Sequence, residues 1–169
     1  MRMLALSPLN RLAQFVPLVV RVIVGVIMSA HGWQKLMGGP ANFAAGLAQQ
    51  GIPLPGLMAW VVTFVELVGG ILLIVGLFSR LAALLLTIEF IVIILTLKIP
   101  MHVPLIAPPH SAYPGVELDL ALLAGFLVVL LMGPGRISLD HALGIERGVA
   151  ERPADRSTRE GRSKGFSLR

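Results

Sequence analysis

Four apolar stretches, each close to the length of a bilayer crossing, constrain this chain more than any other feature of it. A helix needs about 20 predominantly apolar residues to cross the hydrocarbon, within a range of roughly 17 to 25. The stretches run from Phe15 to Met37, from Leu57 to Phe78, from Leu81 to Leu97 and from Val116 to Met132. The last stops at Gly133-Pro134-Gly135, a strong helix terminator. Composition agrees, since 56% of the 169 residues are apolar and 14% are charged. A soluble domain carries roughly a quarter of its residues as charges, so a chain like this lacks the polar groups to clothe a surface in water. Arg2 and Arg11 precede the first stretch as they would in a signal peptide, but Arg21 interrupts it and three more stretches follow. It reads as a retained helix. The expectation is an all-α integral membrane protein, a bundle of four transmembrane helices.

Charge sets the orientation. Arg2, Arg11, Arg80, Arg136 and a basic tail fall on one side of an alternating topology, and Lys35 and Lys98 on the other. The bias of Lys and Arg toward cytoplasmic loops then places both termini inside, with a tight cytoplasmic hairpin at Ser79-Arg80. The stretch from Asn42 to Gln50 reads as a short interfacial helix with Phe43 and Leu47 on one side. Lys98 to Gly115 holds five prolines and reads as irregular. From Glu146 to Arg169 there are seven Lys or Arg against four acids and few apolar residues, which reads as disordered and solvated or near anionic head groups. Residues 1–14 are expected as a cytoplasmic segment, 15–141 as the membrane domain and 142–169 as a basic cytoplasmic tail. Basic residues gathered in a tail argue against a nucleic-acid partner. With no cysteine in the chain, disulfide, iron–sulfur and thiol-redox chemistry on it are excluded.

Ionisable residues inside membrane helices are costly, face protein rather than lipid, and mark functional sites by default. In the first helix Arg21, Gly25, Met28, Gly32 and Lys35 fall within a stripe roughly 80° wide, with His31 beside it. Glu66 lies near the middle of the second span, with Thr63, Gly69 and Gly70 on its face, and Glu89 near the middle of the third. Glu117 and Asp119 open the fourth, where acids also suit the helix dipole. Depth along the helices suggests an internal polar column, with Arg21 against Glu89 or Glu66 below and His31, Lys35, Glu66 and Asp119 above. The plainer reading is that Arg21 and Lys35 snorkel to opposite interfaces and that the carboxylates only hydrogen-bond within the bundle. His102, His110 and His141 are too scattered for a metal site.

Arg21-x3-Gly25, then Ala30-His31-Gly32-x2-Lys35, then Glu66-x2-Gly69-Gly70-x5-Gly76-x3-Arg80 resembles the DoxX family of small membrane proteins. The ending Gly133-Pro134-Gly135-Arg136-x3-Asp140 is similar to that family's close of its last helix. The resemblance covers residues 15 to 141. It implies a four-helix subunit of the bacterial cytoplasmic membrane. Some relatives belong to a thiosulfate:quinone oxidoreductase, and a mycobacterial one is linked to a membrane complex for thiol and superoxide stress. Thiol-exchange relatives use cysteines, which this chain lacks.

The functional expectation is a redox-associated membrane subunit holding a quinone or similar lipophilic redox molecule among its helices. Quinone carbonyls need hydrogen-bond donors when reduced, and protons must arrive with the electrons. A histidine with nearby carboxylates and a Lys or Arg supplies both. The electrons must come from a partner protein. The alternatives are a non-catalytic scaffold whose charges lock the bundle, and a small-molecule transporter, for which four helices would need a dimer.

Overall fold

The computed structural model of the chain describes residues 12–111 and 114–145. A 3-10 turn at Ala13–Phe15 leads into α1 (Val16–Gly38), followed by α2 (Pro40–Gln49), α3 (Pro55–Val75) and α4 (Ser79–Ile93). A π-helical segment, Ile94–Lys98, prolongs α4 before α5 (Val116–Met132) and the short α6 (Leu139–Ala142). No strand occurs among the described residues. The expectations for the first residues and for the basic tail fall on 1–11 and 146–169, which lie outside the described residues.

The long helices form a ring in which α1 and α4 each pack against both α3 and α5. Small residues set the closest approach. A Cβ on Gly25 would stand 2.8 Å from the Gly70 carbonyl oxygen, and one on Gly32 would stand 2.7 Å from the Leu67 Cα. Between helices in lipid the apolar driving force is weak, so backbone approach and packing carry the association. Opposite this seam, the Phe90 and Phe126 rings meet edge to face at 5.3 Å and join α4 to α5. Met28, Leu73, Leu86, Phe126 and Val129 fill the centre and are wholly buried.

The outer faces invert the soluble pattern. Ile23, Phe64, Val68 and Leu81 stand about half exposed, along with many other large apolar side chains. Contiguous apolar surface of this kind marks contact with something other than water. Three helical stretches are long and apolar enough to cross a membrane: Val16–Gly38, Pro55–Val75 and Ser79–Lys98. Helix α5, with 17 residues, sits at the short end of the spanning range.

The hairpin between α3 and α4 lies earlier than Ser79-Arg80. Helix α3 ends at Val75, and Gly76 takes the left-handed conformation (φ 74°) that closes it, donating to the Leu72 carbonyl at 2.8 Å. Leu77 donates to the same carbonyl at 3.0 Å, so the last turn is capped by backbone alone. Hydropathy carries Leu77 and Phe78 as helix because they are apolar, whereas the glycine sets the boundary. The helix expected over Asn42–Gln50 is present as α2, with Leu47 buried beneath it.

Candidate functional site

The sequence places two carboxyl groups in the bundle centre because Glu66 and Glu89 each lie near mid-length of neighbouring, antiparallel helices. Glu66 lies 11 residues into α3 and Glu89 10 residues into α4. Counted from the α3–α4 turn, which both helices share, they stand 9 and 10 residues away, at roughly 14–15 Å by the helix rise. Glu66 is 2% exposed. Lys35, three residues from the end of α1, reaches inward and donates to a Glu66 carboxylate oxygen in a close ion pair. Both oxygens of Glu89 are buried, and its side-chain hydrogen-bond partner is the Glu66 carboxyl. The charged groups that act on Glu89 are the Glu66 carboxyl and the Lys35 ammonium. Three ionisable groups from α1, α3 and α4 therefore meet at one depth, with the Glu66 carboxyl between the other two.

The walls around this triad are built locally. Thr63, one turn before Glu66, is fully buried and donates to the Ala59 carbonyl at 2.7 Å, so its hydroxyl is turned into its own helix. On the α2 side, the Lys35 ammonium lies 5.4 Å from the centre of the Phe43 ring, which roofs the ion pair. Helix α2 is thus a lid of one amphipathic helix, held down by Leu47 and Phe43 and flanked by Gly39 and Gly51, both at positive φ.

The expected column is divided. Arg21 does not meet Glu66 or Glu89. It turns to the other end of the bundle, where its guanidinium donates to the Ile137 carbonyl and, at 3.4 Å, to that of Leu73. Asp140 is the acid whose charge acts on it. The reason is position: Arg21 lies in the second turn of α1, beside the chain that returns after α5, and the carboxyls are too deep for it. Asp140 itself accepts the backbone N–H groups of Phe78 at 2.7 Å and Ser79 at 2.9 Å, capping α4 from outside the helix. Asp119 pairs with Lys98 at 3.2 Å rather than with His31 or Lys35. The π-helical segment turns Lys98 toward α5, and its ammonium also donates to the Pro114 carbonyl at 3.4 Å. His31 is half-buried, and its Nδ1 is 2.9 Å from the Ile27 carbonyl one turn back, which accepts the Nδ1 proton. Glu117 accepts the N–H groups of Ala107 at 3.1 Å and Gly115 at 3.3 Å, tying the long loop to α5.

Asp140 and Lys98 are the partners that hydropathy reasoning misses. Each stands at a helix end, where a charge is cheap to explain by the interface alone. The available signal was arithmetic: Arg21 and Asp119 each needed a counter-charge near their own depth. Among the described residues no group of three His, Asp or Glu side chains gathers to hold a metal ion.

Comparison with known proteins is consistent with this architecture. Residues 16–99, which hold Arg21, His31, Lys35, Glu66 and Glu89, match the DoxX family description. A Bacillus subtilis protein named putative oxidoreductase CatD is 31% identical over 134 residues, covering 78% of this chain and 90% of that protein. An uncharacterized membrane protein of Mycobacterium tuberculosis is 33% identical over 135 residues, 73% of this chain and 78% of its own length. An uncharacterized protein of Haemophilus influenzae is 32% identical over 122 residues, 72% of this chain and 86% of its own. No solved structure matches the chain. On the family match and these relatives together, the chain belongs to the DoxX family of membrane proteins.

Proposed function

We propose that the chain is a subunit of a redox system in a bacterial cytoplasmic membrane, crossing it four times with both ends inside, and that it binds a quinone or similar lipophilic redox molecule at Lys35, Glu66 and Glu89. The observation that carries this reading is the Glu89 carboxyl, its oxygens buried among helices beside the Glu66 carboxyl and within reach of the Lys35 charge. One ammonium and two carboxyls are electrically neutral only when the carboxyls together hold one proton. A carboxyl pair beside an ammonium can take up a proton and hand it on within the bundle. A quinone, when bound, takes up two electrons and two protons. The residues would do the rest: Lys35 and the protonated carboxyl donate hydrogen bonds to the carbonyl oxygens, and Phe43 keeps water from the ion pair. The electrons come from a partner protein. The CatD name lends support as the name of a relative.

The test is equilibrium binding of a tailless benzoquinone to the purified protein in mild detergent. Saturable binding is expected, weakened about tenfold by Glu89→Leu, which removes one hydrogen-bond donor to the quinone carbonyl, and kept by Glu89→Gln, whose amide still donates. Absence of saturable binding in the wild type overturns the reading. A second reading, a scaffold whose charges lock the bundle, is favoured by Arg21 and Asp140, whose hydrogen bonds go to backbone groups at the ends of α3 and α4 and in the segment between α5 and α6. Under it the carboxyl variants lose stability and bind nothing.

A further inference from the structure

The two directions out of the Lys35–Glu66–Glu89 triad are built differently. Toward the α3–α4 turn the way is closed. Leu86 on α4 lies over Gly69, 3.6 Å from where a Cβ would stand and one turn from Glu66. Gly70 meets the backbone of Gly25 and Ser29, so α1 and α3 leave no gap there. Met28, midway along α1 between Arg21 and Lys35, is wholly buried, as are Leu86 and Phe126. The buried Thr87 hydroxyl in this layer donates to the Ala83 carbonyl of its own helix at 2.7 Å. Toward α2 the way is only covered. The Lys35 side chain is 22% exposed, against 3% for Glu66 and buried oxygens for Glu89. On α3, Ala59, Thr63 and Glu66 are spaced i, i+4 and i+7 and form one stripe from the α2 end to the carboxyl. Ala59 and Thr63 are small and wholly buried. Helix α2 packs across α3 and α1, and Leu47 is its one buried side chain. Gly39 at φ 87° and Gly51 at φ 75° bracket it, and nothing stands closer than 3.4 Å to a Cβ position at either. The titratable groups around the triad are its own three and His31, one turn from Lys35; α2 carries none, and Glu117 and Asp119 of α5 are held by the long loop and by Lys98.

We infer that the triad exchanges its proton with water on the α2 side of the membrane only, and that α2 is the hinged cover of that route. This deepens the proposed function by giving the side that supplies the site's proton, while the geometry behind it requires no quinone. Lifting α2 parts one ring from an ammonium and uncovers one leucine, a small local opening about two glycines already in the left-handed half of backbone space. Water that reaches Lys35 and Thr63 then stands beside Glu66, whose carboxylate takes a proton and passes it to Glu89. Opening the other side would mean parting helices whose backbones touch and displacing Met28, Leu86 and Phe126 from a close-packed centre, which does not yield by small steps. Arg21 and Asp140 beyond that layer are engaged with backbone groups and offer the triad no relay. With one open face, the site takes up protons without carrying them across the bilayer.

The chain has no cysteine, so an introduced thiol is the only one present. Thr63→Cys, Leu86→Cys, Ala48→Cys and Leu143→Cys are made singly in the full chain and treated with a charged, membrane-impermeant methanethiosulfonate in right-side-out and in inverted membrane vesicles. Ala48, exposed on α2, and Leu143, exposed after α6, mark the two faces. Thr63→Cys should react about tenfold or more faster in the preparation that labels Ala48→Cys than in the one that labels Leu143→Cys, since only one face opens. Adding Phe43→Ala should raise that rate about threefold or more, through loss of the ring over Lys35. Leu86→Cys should stay unlabelled from both faces. Should Thr63→Cys fail to fold, Ala59→Cys reads the same stripe. Equal reaction from both faces, reaction from the Leu143 face, no reaction from either, or a rate that Phe43→Ala leaves unchanged each overturns the inference. Labelling of Ala48→Cys and Leu143→Cys in the same preparation overturns it as well. None of these rates measures quinone binding, so a wild type that binds no benzoquinone overturns the proposed function and leaves the covered route standing.

Discussion

At the residue scale the two kinds of buried charge in this bundle differ in what would follow from losing them. Lys35 and Glu66 answer each other directly, so Glu66→Leu leaves an ammonium inside the protein without its acceptor. Breaking one side of a buried pair costs about 3–5 kcal/mol, and the double variant Lys35→Met/Glu66→Leu should recover most of it. Thermal unfolding in detergent reads both; a double variant as unstable as the single one would show that packing rather than charge is at stake. Asp140 holds two N–H groups of the α4 N-terminus and supplies charge near Arg21. Asp140→Ala should cost about 1–3 kcal/mol for donors left without an acceptor. Combined with Arg21→Leu, the losses should fall short of additive, because both residues secure the same joint. The sequence made Glu66 and Lys35 visible as charges in apolar runs, and depth along the helices grouped them with His31 and Asp119 without singling out the pair. It did not reveal that Arg21 belongs to another cluster. Depth along a helix is legible in sequence, but the direction in which a long side chain leans depends on which chain segment returns beside it.

At the scale of elements, the seam between α1 and α3 is a glycine contact rather than a leucine one. Gly70 has the Ser29 backbone nitrogen at 2.5 Å and the Gly25 carbonyl oxygen at 2.7 Å from where its Cβ would stand. Those neighbours are backbone and cannot swing aside, so Gly70→Ala and Gly32→Ala should each push the helices apart and cost about 1–3 kcal/mol. Gly46, on α2, has nothing within 4 Å of the same position. There an alanine gains helix propensity, up to about 1 kcal/mol, with no clash. A detergent melt of the three variants checks the sign at each site, and equal effects at Gly46 and Gly70 would refute the seam. Helix existence was legible from apolar length, and α5 begins and ends where the sequence places it. Boundaries at the α3–α4 turn were not, because Leu77 and Phe78 are apolar while the stop signal is a backbone conformation at Gly76. The π-helical segment left no apolar-pattern trace; it shows only in where Lys98 arrives.

At the scale of the whole molecule, orientation in the membrane follows from which cations remain at the ends. By residue count the α2 end carries Lys35 and Lys98, and the turn end carries Arg80 and Arg136 with the tail beyond. The structure changes the weight of that count. Lys35 is drawn into the bundle by Glu66, and Lys98 is paired with Asp119 on α5, so neither extends into a loop as a lone cation. The bias of loop Lys and Arg toward the cytoplasm therefore favours the turn end more strongly than arithmetic alone suggests. Reporter fusions at Gly51, in the loop after α2, and after Arg169 should accordingly report opposite sides, with the Arg169 fusion cytoplasmic. Lys35→Ala/Glu66→Ala should leave this unchanged, since a paired lysine contributes little to the loop charge. Fusions on the same side would remove one of the four proposed crossings, and α5, which is not among the three helices long and apolar enough to span, would be the one to doubt first. Opposite sides with Gly51 cytoplasmic would instead keep the bundle and invert it, placing Arg80 and Arg136 outside against the charge bias.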